Sequence, residues 1–157
     1  MLWMCNIGNL LMAVGLFLNR PSLMRIAIIW TIPGLVVWFI FVVLAWGVFF
    51  TSTLAHVGGI VVAMIVLRKI GMDRNAWLLS FGWYLCIQLL SRLITSPSLN
   101  VNLSFRMQER WEQTFSAYWQ FLLTLNLGTA IILWLVGLLL WKLRPAGGLV
   151  DNSKVEI

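Results

Sequence analysis

An apolar stretch that closes on a basic pair constrains this chain more than any other feature in it. From Phe49 to Gly71 the sequence reads FFTSTLAHVGGIVVAMIVLRKIG, with the chain's one histidine, His56, near its start and Arg68-Lys69 near its end. A helix of about 20 apolar residues crosses the hydrocarbon core of a bilayer, and flanking basic residues decide which end stays in the cytoplasm. The run before it, from about Ile26 to Phe49, is also uncharged and of spanning length. Two such runs joined by a short link predict an antiparallel helical hairpin in a membrane.

Composition removes the soluble alternative. Hydrophobic residues make up 61% of the 157 and charged ones 10%, where a soluble domain is about half apolar and a quarter charged. The net charge of +6 does not point to nucleic acid, because its carriers lie scattered between apolar runs and form no dense basic stripe. Cys5 and Cys86 fall inside apolar segments with no CxxC or metal-ligand spacing, so they read as buried thiols and no metal is expected. The first segment has no basic leader or small-residue cleavage site and is expected to be retained as a membrane helix.

The expected fold is an all-α, polytopic transmembrane helical bundle of about five spans, occupying residues 1–145, with a short cytoplasmic tail at 146–157 that reads as disordered. The spans run from about Leu2 to Leu18, Ile26 to Phe49, Leu54 to Leu67, Ala76 to Thr95 and Trp119 to Trp141. Asn6 and Asn9 should turn the first helix toward its neighbours, since an amide in hydrocarbon needs a partner. Thr31, Pro33 and Gly34 mark a kink in the second span. Phe50 to Thr53 form the link to the third, with Ser52 or Thr53 as its cap and His56 in its first turn; Gly58 and Gly59 allow close approach of another helix. In the fourth span Gln88, Ser91 and Arg92 form a polar stripe. From Ser104 to Gln120 the spacing of Met107, Trp111, Phe115 and Tyr118 predicts an interfacial helix before the last span.

Alternating spans put Arg20, Arg25, Arg68, Lys69, Arg74, Lys142, Arg144 and Lys154 on one side, against Arg92, Arg106 and Arg110 on the other. Eight against three predicts an extracytoplasmic N-terminus and a cytoplasmic C-terminus. The same alternation gathers His56, Arg92, Asn100, Asn102, Glu109 and Glu112 toward the outer face. There His56 is a candidate general base working with Glu109 or Glu112, and Arg92, Asn100 and Asn102 are candidate substrate-binding groups, Arg92 for an anion. Each has a plainer reading: a packing hydrogen bond for His56, snorkelling for Arg92, and a side-chain-capped turn for the two asparagines. No nucleotide loop, nucleophile elbow or HExxH pattern occurs, and no cofactor is implied.

The Asn-containing first span, the His56-Val57-Gly58 element, the link Gly71-Met72-Asp73-Arg74-Asn75-Ala76 and the loop Asn100-Val101-Asn102 together resemble an uncharacterised group of small bacterial polytopic membrane proteins. The resemblance covers roughly residues 3 to 105. It implies a cell inner-membrane location and a further helix ahead of the first one here, and it carries no activity. Three functions follow from the sequence. The first is a non-enzymatic membrane subunit or small-molecule binding component, with membrane lipids and itself or another membrane protein as partners. The second is a membrane-embedded enzyme acting on a lipid or lipid-linked substrate from the outer face. The third is a small oligomeric transporter or channel.

Overall fold

A computed structural model describes residues 4–45, 50–107 and 111–146, less the side chains of Met4, Cys5 and Ala45. It is all-α: α1 (Met4–Phe17), α2 (Pro21–Ala45), α3 (Phe50–Ile70), α4 (Ala76–Ile94) and α5 (Tyr118–Leu143). Helices α2 to α5 are each long and apolar enough to cross a membrane. With 14 residues, α1 is about 21 Å long, short of a hydrocarbon core of about 30 Å.

The bundle is organised on α2, which packs against all four other helices. Its first half is enclosed: Ile26, Ala27, Ile28 and Ile29 are all buried, against Leu11 and Met12 of α1, Ala63, Val66 and Leu67 of α3, and Leu133 and Leu140 of α5. Its second half faces outward along Val36, Val37, Phe39, Ile40, Phe41, Val43 and Leu44. The uniform Val, Ile and Phe content of that half suits lipid, which asks no helical phase of a surface. The helix continues through Pro33; Thr31 Oγ1 donates to Ala27 O at 2.8 Å one turn earlier.

Several boundaries move. Helix α3 starts at Phe50, so Ser52 and Thr53 lie inside it and do not cap it, and His56 sits in its second turn. Residues 46–49, which precede α3, lie outside the described set. Ser52 Oγ instead accepts a 3.0 Å bond from Trp38 Nε1 of α2. Asn9 meets the third helix as its chemistry demands, whereas Asn6 is exposed. Cys86 is exposed on the outward face of α4 beside Leu85 and Leu89; what buries that thiol is the bilayer and not protein.

Between α4 and α5 the helical structure is short. Turns of 3-10 helix occupy Pro97–Leu99 and Val101–Leu103, and a further turn brings the amides of Thr114 and Phe115 to Trp111 O. The extra helix ahead of the last span is thus made of short turns, and the described residues from 104 to 117 do not form one continuous helix. The aromatic spacing is met differently: Trp111, Phe115 and Tyr118 gather around Phe121, with ring centroids 5.7 to 6.3 Å from it.

At the opposite end the chain ties itself together. Gly71, at φ +61°, turns α3 into the α4 link, Met72 N donates to Arg144 O, and Ala146 N donates to Met72 O. Ala146, expected in a disordered tail, is therefore bonded to the bundle; the rest of the tail, 147–157, lies outside the described residues. Arg25 adds two bonds, from Nε to Gly71 O at 3.0 Å and from Nη2 to Ile70 O at 3.1 Å. These carbonyls are ones the end of α3 cannot satisfy within itself. A cation at a helix C-terminus also meets the negative end of its dipole.

Candidate functional site

One face of α4 carries a buried polar arrangement along most of its length. Residues four apart on one helix face, Ser80, Tyr84 and Gln88, with Ser91 a turn further, are all buried. Ser80 and Ser91 spend their hydroxyl protons on carbonyls one turn back, Ala76 O and Ile87 O. Gln88 Nε2 donates to Tyr84 Oη at 3.1 Å, and Tyr84 Oη donates to Asn126 Oδ1 of α5 at 2.8 Å. Trp30 of α2 reaches the same face, donating from Nε1 to Ser80 O and stacking on Tyr84 at 5.9 Å. Three helices are thereby joined through one buried stripe.

The loop after α4 seals that stripe. Asn102 Nδ2 donates to Ser91 Oγ at 2.9 Å, Ser104 Oγ donates to Gln88 O at 3.2 Å, and Tyr118 Oη donates to Leu103 O at 2.9 Å. Asn100 works locally: Oδ1 accepts from the amides of Phe105 and Arg106, and Nδ2 donates to Arg106 O. Asn100, Asn102 and Leu103 all have positive φ. Asparagine tolerates that region better than other side chains; Leu103 does not, and the Tyr118 and Asn102 bonds on either side hold it there. Arg92 is exposed at the end of α4 with its guanidinium 5.7 Å from the Tyr118 ring centroid. A cation over an exposed aromatic face is worth about 0.5–1 kcal/mol.

His56 belongs to a different place. Its Nδ1 lies 2.8 Å from Ser52 O, one turn back on α3, and its ring stacks on Trp38 of α2 at 5.4 Å and 15°. Beside it Asn9 Nδ2 donates to Ala55 O at 3.0 Å, fixing α1 to α3. Asn9, Thr31, Gly34 and His56 line a cavity of about 10 Å³, about the least space that holds a single water. That cavity is walled by α1, α2 and α3, whereas Arg92, Asn100 and Asn102 are organised on α4 and the start of α5. The expected outer grouping therefore divides into two parts.

Glu109, the acid paired with His56 in the sequence reading, lies outside the described residues; Glu112 is exposed. Among the described residues, no group of three His, Cys, Asp or Glu side chains is placed to hold a metal. The sequence reading found Gln88, Ser91, Asn100 and Asn102 but missed Tyr84, Asn126 and Arg25. The lone Asn126 within an apolar span was the available signal for the α4–α5 bond, and Arg25 one turn into α2 was the signal for a helix-end partner. Comparison with protein-family models, curated proteins and solved structures returns no match to this chain.

Proposed function

We propose that this chain is a non-enzymatic integral membrane subunit, working beside a second copy of itself or another membrane protein. One observation carries the reading: His56, Arg92, Asn100 and Asn102, four of the polar groups that the sequence offers for chemistry, are engaged by the chain's own atoms. Asn100 makes three bonds, Asn102 holds Ser91, Arg92 covers Tyr118, and His56 is held between Ser52 O and Trp38. The space beside His56 admits a water and no substrate. The His56–Trp38 and Arg92–Tyr118 contacts join helices, which in lipid lack a hydrophobic drive to associate, and the two asparagines hold the loop after α4. Broad apolar faces remain for a partner, as along Phe50, Leu54, Val57 and Val61 of α3, all exposed.

The proposed setting is the inner membrane of a bacterium, in keeping with the resemblance drawn from the sequence, with the N-terminus outside and the C-terminus in the cytoplasm. Support for the orientation comes from the clustering of Arg20, Arg25, Arg68, Lys69, Arg74, Lys142 and Arg144 around the α1–α2 turn, the α3–α4 link and the end of α5. Native mass spectrometry of the protein, released from its own membrane into several mild detergents and into nanodiscs, tests the subunit reading. A complex with a defined second polypeptide is expected. A lone monomer under every one of these conditions would overturn it.

A further inference from the structure

A cavity with charged walls lies away from both parts of the expected outer grouping, at the basic end, between the first turns of α2 and α4. Its volume is about 230 Å³, and Ser22, Arg25, Asp73, Asn75, Leu78 and Leu79 line it. We infer that it binds the headgroup of an aminophospholipid, with phosphate on Arg25, ammonium on Asp73 and the acyl chains leaving along Leu78 and Leu79.

Arg25 is fixed before any ligand arrives. Its Nε and Nη2 are bound to the carbonyls of Gly71 and Ile70, which uses two of five guanidinium donors and leaves Nη1 for a phosphate oxygen. Ser22 brings a hydroxyl and Asn75 an amide to the same wall. Asp73 is placed by its own turn, with Oδ1 accepting from Asn75 N at 2.7 Å, so its carboxylate stands at the rim with a second oxygen for a donor. One fixed cation and one fixed anion match a zwitterion. A purely anionic headgroup would meet the Asp73 carboxylate as a like charge. A quaternary ammonium, which has no N–H to donate and is recognised by aromatic cages, finds no aromatic side chain in this lining. A primary ammonium satisfies the carboxylate directly.

The other wall supplies the reason for a lipid over a soluble phosphoamine. Leu78 and Leu79 are 52% and 55% exposed on the outward side of α4, and α4 is a span, so the cavity opens onto the surface where acyl chains lie. A basic side chain between the ends of membrane helices meets lipid phosphate, and the Asp73 carboxylate beside Arg25 is what turns this pocket from an anionic to a zwitterionic headgroup. The inference rests on the cavity and the spans, and stands or falls separately from the subunit reading.

The test is a native mass-spectrometric titration of the full chain in detergent with phosphatidylethanolamine, phosphatidylcholine and phosphatidylglycerol of identical acyl chains. The ethanolamine lipid should bind about threefold tighter than either competitor, the size expected of a single exposed ion pair. Asp73→Asn keeps the oxygen that accepts from Asn75 N while removing the charge; it should abolish the preference over phosphatidylcholine and improve binding of phosphatidylglycerol. Ser22→Phe should block the cavity and weaken the ethanolamine lipid without touching Arg25 or Asp73. Equal binding of the three lipids, an Asp73→Asn protein that keeps the wild-type ranking, or glycerophosphoethanolamine binding as tightly as the full lipid would each overturn the proposal.

Discussion

Asn100 shows how a residue with the look of a binding group serves the fold. Its amide is used three times within six residues of its own position, on the Phe105 and Arg106 amides and the Arg106 carbonyl, at a backbone φ of 42°. Two contributions are therefore separable by substitution. Asn100→Asp keeps both accepted bonds and a tolerated φ, and loses the one donated to Arg106 O. Asn100→Gly keeps the φ and loses all three bonds, while Asn100→Ala loses the bonds and adds strain. Each net bond is worth about 0.5–1.5 kcal/mol and a non-glycine residue in the left-handed region costs about 1–2 kcal/mol. Thermal unfolding in detergent should rank the proteins wild type, Asp, Gly, Ala from most to least stable. An alanine protein as stable as wild type would show that the loop is held by something else. The turn itself was legible in Asn100-Val101-Asn102, since asparagine bonds locally and accepts positive φ. That Asn102 reaches Ser91 was not, because the bond joins two segments whose relation depends on where α4 ends.

At the scale of the helix, Gly58 and Gly59 separate what the sequence treated as one feature. A Cβ on Gly59 would stand 2.7 Å from Asn9 Oδ1, the amide that ties α1 to Ala55 O; a Cβ on Gly58 meets only Leu54 Cδ1, at 3.9 Å. Gly59→Ala should push the Asn9 amide off α3 and destabilise the protein by about 1–2 kcal/mol, a small overpacking cost plus one interhelical bond. Gly58→Ala should be neutral or stabilise by up to about 1 kcal/mol, because alanine is the better helix former. Denaturant or thermal unfolding of the two proteins side by side reads the difference, and equal effects would mean that α1 does not seat on α3 through Asn9. Sequence spacing revealed that this turn of α3 permits close approach, but not which glycine the neighbour uses. In helices of nearly uniform apolarity no amphipathic stripe reveals the rotation about the axis. Helix α4 is the exception: of its expected stripe Gln88, Ser91 and Arg92, the first two are buried and Arg92 is exposed. The lack of phase left Asn6 of α1 assigned to the interior when it faces out; Cys86, which also faces out, lies on α4 off the face that carries the stripe. Whether such a residue meets protein or lipid is decided by a partner helix distant in sequence.

For the molecule as a whole, the apolar helices long enough to cross were legible because length and apolarity alone specify a crossing, whereas the location of the protein core was not. That core gathers in the first half of α2, at the end where Arg25 and Met72 lace the α3–α4 link to α2 and to the end of α5. The opposite end is joined instead through the α4 stripe and its loop. The two ends thus differ in both charge and construction, and the distribution of cations gives a whole-molecule prediction. In a variant with Cys5 and Cys86 replaced by serine, single cysteines at Lys69 and at Ser98 report the two ends: Lys69 lies in the last turn of α3, and Ser98 is exposed in the turn after α4. The substitution at Ser98 gives up only an exposed 2.8 Å hydrogen bond with Ser96 Oγ, so both substitutions should leave the fold intact. A membrane-impermeant maleimide applied to intact spheroplasts should label the cysteine at 98 and reach the one at 69 only after the membrane is opened. The reason is energetic: carrying Arg20, Arg25, Arg68, Lys69, Arg74, Lys142 and Arg144 outward against a negative-inside potential costs about 2.3 kcal/mol per charge per 100 mV, while Arg92 and Arg106 are few by comparison. Labelling of both cysteines before lysis would break the alternation of spans, and labelling of 69 alone would invert the protein in the membrane.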